Sequence, residues 1–420
     1  MDVEMKVNHL PAYTWNKLKL NEALVKLDVN RNVEFSLLSS NVPEGITYTE
    51  NASQETINNF FDGVGISNAR EKYVAGKFPI YAGGEFATGM GAEMDEFVSD
   101  HCEGTDVYRV EAGVKAKKPV CLHFTAKKSE EINCCPEEDG VKTCTLNYIN
   151  QCLREVSGTR QLVNAKKISD NTYSQLIYAG KDSESTFILD YASDDDEGLL
   201  SVSTKVYLEE GAKVHLIKAQ LLGKNMICLD DNGVILSEAS KFDFIQMELG
   251  SKKTYTGLYA NEEGMNSEIT SECGYLLKDE QKLDLNYAAV QRGKKTRSSM
   301  LFKGIVSDRA EKTFRGTIDF RCGSSGSVGD EQEDVLLLGE NIVNKTIPLI
   351  LCEEEDVDGR HGATIGRLPE DMLFYMKSRG IPEKSAERLV IRARLNDINR
   401  KIPDNELNAY ISKYIEESFE

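Results

Sequence analysis

The residue types in this chain best suited to chemistry are its five histidines and ten cysteines, and spacing singles out few of them. His361 lies between Arg360 and Gly362, whereas His9, His101, His123 and His215 are isolated. His215 alternates with Val214 and Leu216, as the polar face of a strand would. A neutral imidazole ligates a metal through one ring nitrogen. On residues alone a hydrogen-bonded structural histidine is the plainer reading of His361, because no second ligand follows at metal-site spacing. Acids abound nearby: Glu333, Asp334, the run 353–356 and Asp358. Most acid runs are solvated faces, and Glu333 alone is kept beside His361 as a metal candidate. Cys352 follows Ile350-Leu351 and reads as a buried thiol. Cys134-Cys135, with Cys144 beyond, lacks the Cys-x-x-Cys spacing that turns two thiolates onto one ion; the following Pro136-Glu-Glu-Asp-Gly140 reads as a loop. There is no Gly-x-x-x-x-Gly-Lys-Ser/Thr and no dinucleotide fingerprint, so no nucleotide site is expected. The run Asp194-Asp-Asp-Glu197 lacks calcium-loop spacing. No Ser/His/Asp or Cys/His set is defensible by spacing, and no catalytic residue is assigned.

The elements that must hold these residues belong to a chain of 420 residues, long enough for one to three domains. Its 50 basic and 69 acidic residues leave a net charge of -19, which repels phosphate and argues against nucleic acid or an anionic membrane as the main partner. No apolar run approaches the ~20 residues that span a bilayer, and the first residues show no apolar export signal. A cytoplasmic location is expected, with the cysteines as thiols.

Three regions are expected. Residues 1–155 are mixed α/β, with a short arm around Trp15 and a helical spacing of Met90, Met94 and Phe97; the segment Lys118-Pro-Val-Cys-Leu-His-Phe124 is strand-like. Residues 156–368 carry short segments of alternating polarity separated by turn residues. Four of these share a form, an acid, two turn residues, a lysine, then apolar-x-apolar, marked by Lys213, Lys241, Lys282 and, more weakly, Lys312. Recurrence of this size with period-two patterning points to stacked coils, a parallel β-helix; an antiparallel sandwich is the competing architecture. Residues 369–420 read as helices. Pro369 and the acids after it start one that Gly380 ends. A second follows Pro382, with Ala386, Leu389, Val390, Ala393 and Ile398 on one face. Asp404 caps a third carrying Leu407, Tyr410, Ile411, Tyr414 and Ile415. Such a module either caps the β stack or docks a partner.

One further pattern is more specific. His361-Gly-Ala-Thr-Ile-Gly366, followed by Leu373-Phe-Tyr-Met-Lys-Ser-Arg-Gly380, resembles the C-terminal signature of the SufB/SufD family of the Suf iron–sulfur cluster assembly system. Lys312-Thr-Phe-Arg-Gly-Thr-Ile-Asp-Phe320, Glu333-Asp-Val-Leu-Leu-Leu-Gly339 and, weakly, Asn8-His-Leu-Pro-Ala-Tyr-Thr-Trp15 extend the likeness. The resemblance implies a right-handed parallel β-helix with a helical C-terminal domain. It implies a heterodimer with a SufB-like subunit, a SufC-like ATPase bound by the C-terminal helices, and a transient iron–sulfur cluster shared at the SufB–SufD interface. SufB-like chains carry a cysteine ligand before the Leu-Leu-x-Gly strand and a Glu after the signature histidine. Here those positions hold Glu333 and Gly362, which favours a SufD-like member. His361 would then be its cluster-site residue. Some SufD chains add a cysteine two residues earlier; Gly359 stands there, so thiolates must come from the partner. The partner-binding candidates are Leu373, Phe374, Leu389, Tyr410, Ile411 and Tyr414. The expected role is a non-catalytic scaffold. The alternatives are a carbohydrate-active β-helix enzyme and a homodimeric scaffold.

Overall fold

The computed structural model describes residues 2–12, 16–28, 33–53, 57, 86–128 and 162–418. Cys134, Cys135 and Cys144 lie outside them, as does Trp15.

The chain winds into a parallel β-solenoid of about seven turns. Its first wall is a nine-stranded sheet. From one edge it runs Val343–Cys352, Glu311–Phe320, Lys282–Gln291, Lys253–Glu262, Met226–Leu236, Gly198–Leu208, Thr172–Ala179, Thr105–Val110 and Ile46–Ala52. The second wall has ten strands: Val357–Gly366, Ser327–Leu338, Arg297–Ser307, Glu268–Leu277, Lys241–Glu248, Lys213–Leu221, Glu184–Ala192, Val120–Lys128, Val33–Ser40 and Leu162–Lys167. Pairing is parallel except where Ile46–Ala52 and Val33–Ser40 close the early end antiparallel to their neighbours. The stack therefore begins at Thr105, earlier than the change in composition near 156 suggested. Residues 129–161 separate its first strands from the rest in sequence and hide the continuity.

Each coil turns one corner through a residue in the left-handed region. Asp182, Gly211, Ala239, Asn266, Lys295 and Gly326 have φ between 54° and 77°. The amide of each donates to a carbonyl of the next coil, from Asp182 to Glu210 through Gly326 to Asp356. Only glycine takes this conformation without cost; Ala239 pays ~1–2 kcal/mol of backbone strain for the same turn. Just inside this corner Ala212, Ser240, Ser267, Thr296 and Ser327 are fully buried. These corners are the origin of the repeat read from sequence. Lys213 and Lys241 are register partners, as expected. Lys282 instead starts a strand of the other wall, and Lys312 pairs with Leu283. The irregular spacing of the four lysines came from reading two different corners as one.

Between the walls the interior is apolar with a strong aromatic content. Phe302 meets Tyr287 edge-on at 4.9 Å and Phe314 at 4.1 Å. Such rings contribute through burial and a further ~0.5–1.5 kcal/mol per pair. Two lysines enter this interior paired with acids. Lys218 donates to Asp230 at 2.5 Å, both 1% exposed, and Lys312 donates to Glu333, both buried.

The outer faces are covered differently. Helix α1 (Ala92–His101) lies with the hairpin Asp2–Val7 and Ala23–Asp28 over the first wall, where Met90, Met94 and Phe97 pack with Leu199 and Leu229. Helices α2 (Glu370–Ser378), α3 (Glu383–Asn399) and α4 (Asn405–Glu417) follow the last strand. Gly380, at φ 83°, ends the first of them, and the Asp404 carboxylate accepts the amides of Glu406 and Leu407 at the start of the last. The helices do not cap the stack. Ile391, Leu395, Ile398, Leu407, Ile411 and Ile415 pack instead against the outer side of the second wall, on Ile217, Met247 and Leu276 among others. Three ion pairs fix α3 and the turn just after it across consecutive strands: Lys401–Glu272 at 2.5 Å, Lys303–Asp397 at 2.7 Å and Arg394–Asp334 at 2.5 Å. The face expected on α3 was offset, since Ile391 and Leu395 are buried while Leu389 is 48% exposed.

Ile411 is therefore core, and its stripe is a packing seam rather than a partner surface. Ile411→Ala should cost about 2–4 kcal/mol in a urea unfolding curve, through lost transfer and a cavity; a change under 0.5 kcal/mol would mean the helix does not bear on the sheet.

Candidate functional site

The last two strands, Val343–Cys352 and Val357–Gly366, end the two walls, and among the described residues each has a paired neighbour on one side only. The final strand is almost wholly exposed, in contrast to the buried strands beneath it. This open end holds His361. The pleat fixes its direction. A Cβ added at Gly359 would meet the Phe320 ring and Ile350, so 359, 361 and 363 face inward. His361 is thus exposed yet turned toward the mouth of the solenoid interior. Its register partner one coil below is Glu331.

Beneath it lies a dense polar cluster. Ser327, Gly329, Glu331, Glu333 and Val335 alternate inward along the strand Ser327–Leu338, and the residues between them face out. Glu333 accepts from Lys312 Nζ, from Tyr275 OH at 3.0 Å and from Thr346 Oγ1 at 2.7 Å. Lys312 also donates to Thr346 Oγ1 at 3.0 Å. Burial pulls the Lys312 ammonium down, and Glu333 opposes that. Glu333 is therefore spent on an internal ion pair and fails as a metal ligand: its oxygens are buried and already accept three hydrogen bonds.

Glu331 differs from it. Its residue is 2% exposed and its Oε2 has no hydrogen-bond partner. Burial, and then the charge of Glu333, push its carboxyl up to about 8. A Cβ at Gly316 would fall 2.2 Å from Glu331 Oε2, so the carboxyl occupies space that the missing side chain leaves on the facing wall. Sequence reading passed over Glu331. The signal was its spacing of two from Glu333, but the run Asp330-Glu-Gln-Glu-Asp334 is polar at every position and does not reveal which residues face in.

The other candidates disperse. Cys352, expected buried, is exposed, and its thiol donates to the Glu354 carbonyl at 3.0 Å. The strand ends there, so the apolar run before it does not carry over. Among the described residues no group of three His, Cys, Asp or Glu side chains converges to hold a metal ion. On the helices, Phe374 is 76% exposed, and Tyr375, Met372, Leu389 and Tyr410 are exposed with it. Leu373 is half-buried. Tyr414 is half-buried, packs against the sheet, and donates its hydroxyl to the Leu249 carbonyl at 3.1 Å.

The family "SUF system FeS cluster assembly, SufBD core domain" matches residues 162–394. That is more than half of the chain. The chain belongs to the SufBD family. It is 32% identical over 124 residues to the iron–sulfur cluster assembly protein SufD of Bacillus subtilis, covering 30% of this chain and 28% of that one. To the SufD of Plasmodium berghei it is 30% identical over 215 residues, covering 50% of this chain and 16% of that one. To the SufBD family protein ABCI8, chloroplastic, of Arabidopsis thaliana it is 27% identical over 189 residues, covering 44% and 34%. The chain thus spans about a third or less of the length of these relatives. The family match covers the solenoid from Leu162 onward, includes His361, and reaches into α3. SufBD proteins serve iron–sulfur cluster assembly. Among the described residues no helix is long and apolar enough to cross a membrane.

Proposed function

We infer that this chain is a SufD-like scaffold subunit that pairs with a SufB-like protein through the open end of its solenoid. It is non-catalytic by itself and works in the cytoplasm. The observation that carries this reading is His361, inward-facing on the last strand of a stack whose end is uncovered. Two edge strands with free backbone groups are a ready surface for another chain. A histidine at that seam would reach a cluster forming between the subunits. An iron–sulfur cluster needs several soft ligands, and one imidazole cannot hold it, so the thiolates come from the partner. The cluster is cargo, held transiently and shared.

The second surface belongs to a SufC-like ATPase. Phe374, Leu389 and Tyr410 are the expected partner-binding residues that remain exposed, and Ile411 is withdrawn. No nucleotide binds to this chain in this reading; the ATPase supplies the energy. The two ion pairs of α3 give a physical route by which a displaced helix would pull on Asp334, next to Glu333 in the strand under His361.

Phe374→Ala is expected to leave stability within ~0.5 kcal/mol, since the ring is bare, yet to cost at least ~2 kcal/mol of ATPase affinity, about thirtyfold. Titration calorimetry with the SufC-like protein checks it; unchanged affinity would remove α2 from the interface.

A further inference from the structure

We propose that Glu331 is a second ligand at the mouth of the solenoid, its carboxylate and the His361 imidazole together taking a divalent first-row transition ion, the ferrous cargo of assembly. The proposal rests on the reading of His361 as the cluster-site residue and adds the group that would meet iron before sulfur arrives.

Glu331 and His361 are register partners on adjacent parallel strands, both on the inner face. Such strands lie ~4.8 Å apart, so the two side chains leave neighbouring positions of the same inner face. The carboxyl is nearly buried and one of its oxygens has no partner. A buried polar group left unsatisfied costs ~1–3 kcal/mol, and native chains keep such groups where a proton, water or ion completes them. The neighbouring acid does not supply a partner for this oxygen. Glu333 has Lys312, Tyr275 and Thr346, while Lys312 divides its bonds between Glu333 and Thr346. Nothing in that network turns to Glu331 Oε2. Gly316 opposite leaves the room that the carboxyl fills, because any larger residue would strike it.

The donor set sets the class of ligand. One imidazole nitrogen and one carboxylate oxygen suit Fe²⁺, Mn²⁺, Co²⁺ or Zn²⁺ and are poor for soft Cu⁺. Two protein ligands leave positions open for water and then for the partner's thiolate.

The test uses the purified full chain under anaerobic conditions, titrated with Co²⁺ for its d–d absorption and with Fe²⁺ by equilibrium dialysis. Wild type should bind one ion, and Glu331→Gln and His361→Ala should each weaken it at least ~10-fold with unchanged thermal melts. Glu331→Gln keeps the shape of the side chain, and His361 is exposed, so both should fold. Absence of binding by wild type overturns the proposal, as does Glu331→Gln binding like wild type. Binding that survives both substitutions but falls when Glu353, Glu354, Glu355 and Asp356 are made neutral also overturns it. Cluster assembly in the three-protein complex separates the two claims. If His361→Ala fails to assemble while Glu331→Gln binds metal normally, Glu331 is removed and the cluster-site reading stands. If His361→Ala assembles normally, the cluster-site reading itself goes.

Discussion

Glu333→Ala is expected to destabilise the chain by about 3–5 kcal/mol, the largest effect of any single substitution considered for stability. The change leaves Lys312 charged or forces it neutral in a site where neither residue is more than 1% exposed at its side chain. It also leaves Tyr275 OH and Thr346 Oγ1 without their acceptor. A buried ion pair is weak evidence of net stability, because desolvation offsets most of its attraction; breaking one side is what costs. The double replacement Lys312→Met with Glu333→Leu should therefore recover most of the loss. Urea unfolding of the three variants measures this. A single-mutant cost below 1 kcal/mol would mean that water reaches the pair and that the interior near the open end is wet.

His361→Ala carries the largest functional effect. The residue is exposed, and nothing in the structure suggests a part in packing. Stability should stay within ~0.5 kcal/mol. Cluster formed per complex should fall at least ~10-fold, because loss of a ligand costs no less than loss of the groups that orient one. Anaerobic reconstitution followed by absorbance and iron and sulfide content reads it out, with complex integrity checked in parallel. Intact complex with little cluster is the expected pair of results.

The sequence made the solenoid legible where residue type is tied to a corner of the coil. Glu210-Gly-Ala-Lys and Glu238-Ala-Ser-Lys each contain a left-handed turn residue, a small buried residue and an exposed lysine, and Lys213 and Lys241 proved to be stacked. Lys282 and Lys312 misled because the first wall has a similar corner and because a lysine can point inward when an acid awaits it. On the helices the stripe Leu407, Ile411, Ile415 was readable, but what it faced was not. Periodicity says that a face is buried and is silent on whether the covering surface is the same chain. Leu389 and Ile391 differ in exposure for the same reason: the choice between adjacent faces of α3 is made by the sheet it meets. His361 stood out only through the motif around it, since its inward direction depends on Gly359 and the pleat. Glu331 was not legible at all, because the all-polar run Asp330–Asp334 hides its own alternation.

Co-expression of this chain with the SufB-like and SufC-like proteins of the same organism, followed by anaerobic size-exclusion chromatography, tests the central claim most directly. Elution of all three in one complex, lost when the edge strand Val357–Gly366 is removed and weakened by Phe374→Ala, is the result expected. Elution of this chain alone, at the same volume with and without the other two proteins, would contradict the assembly role.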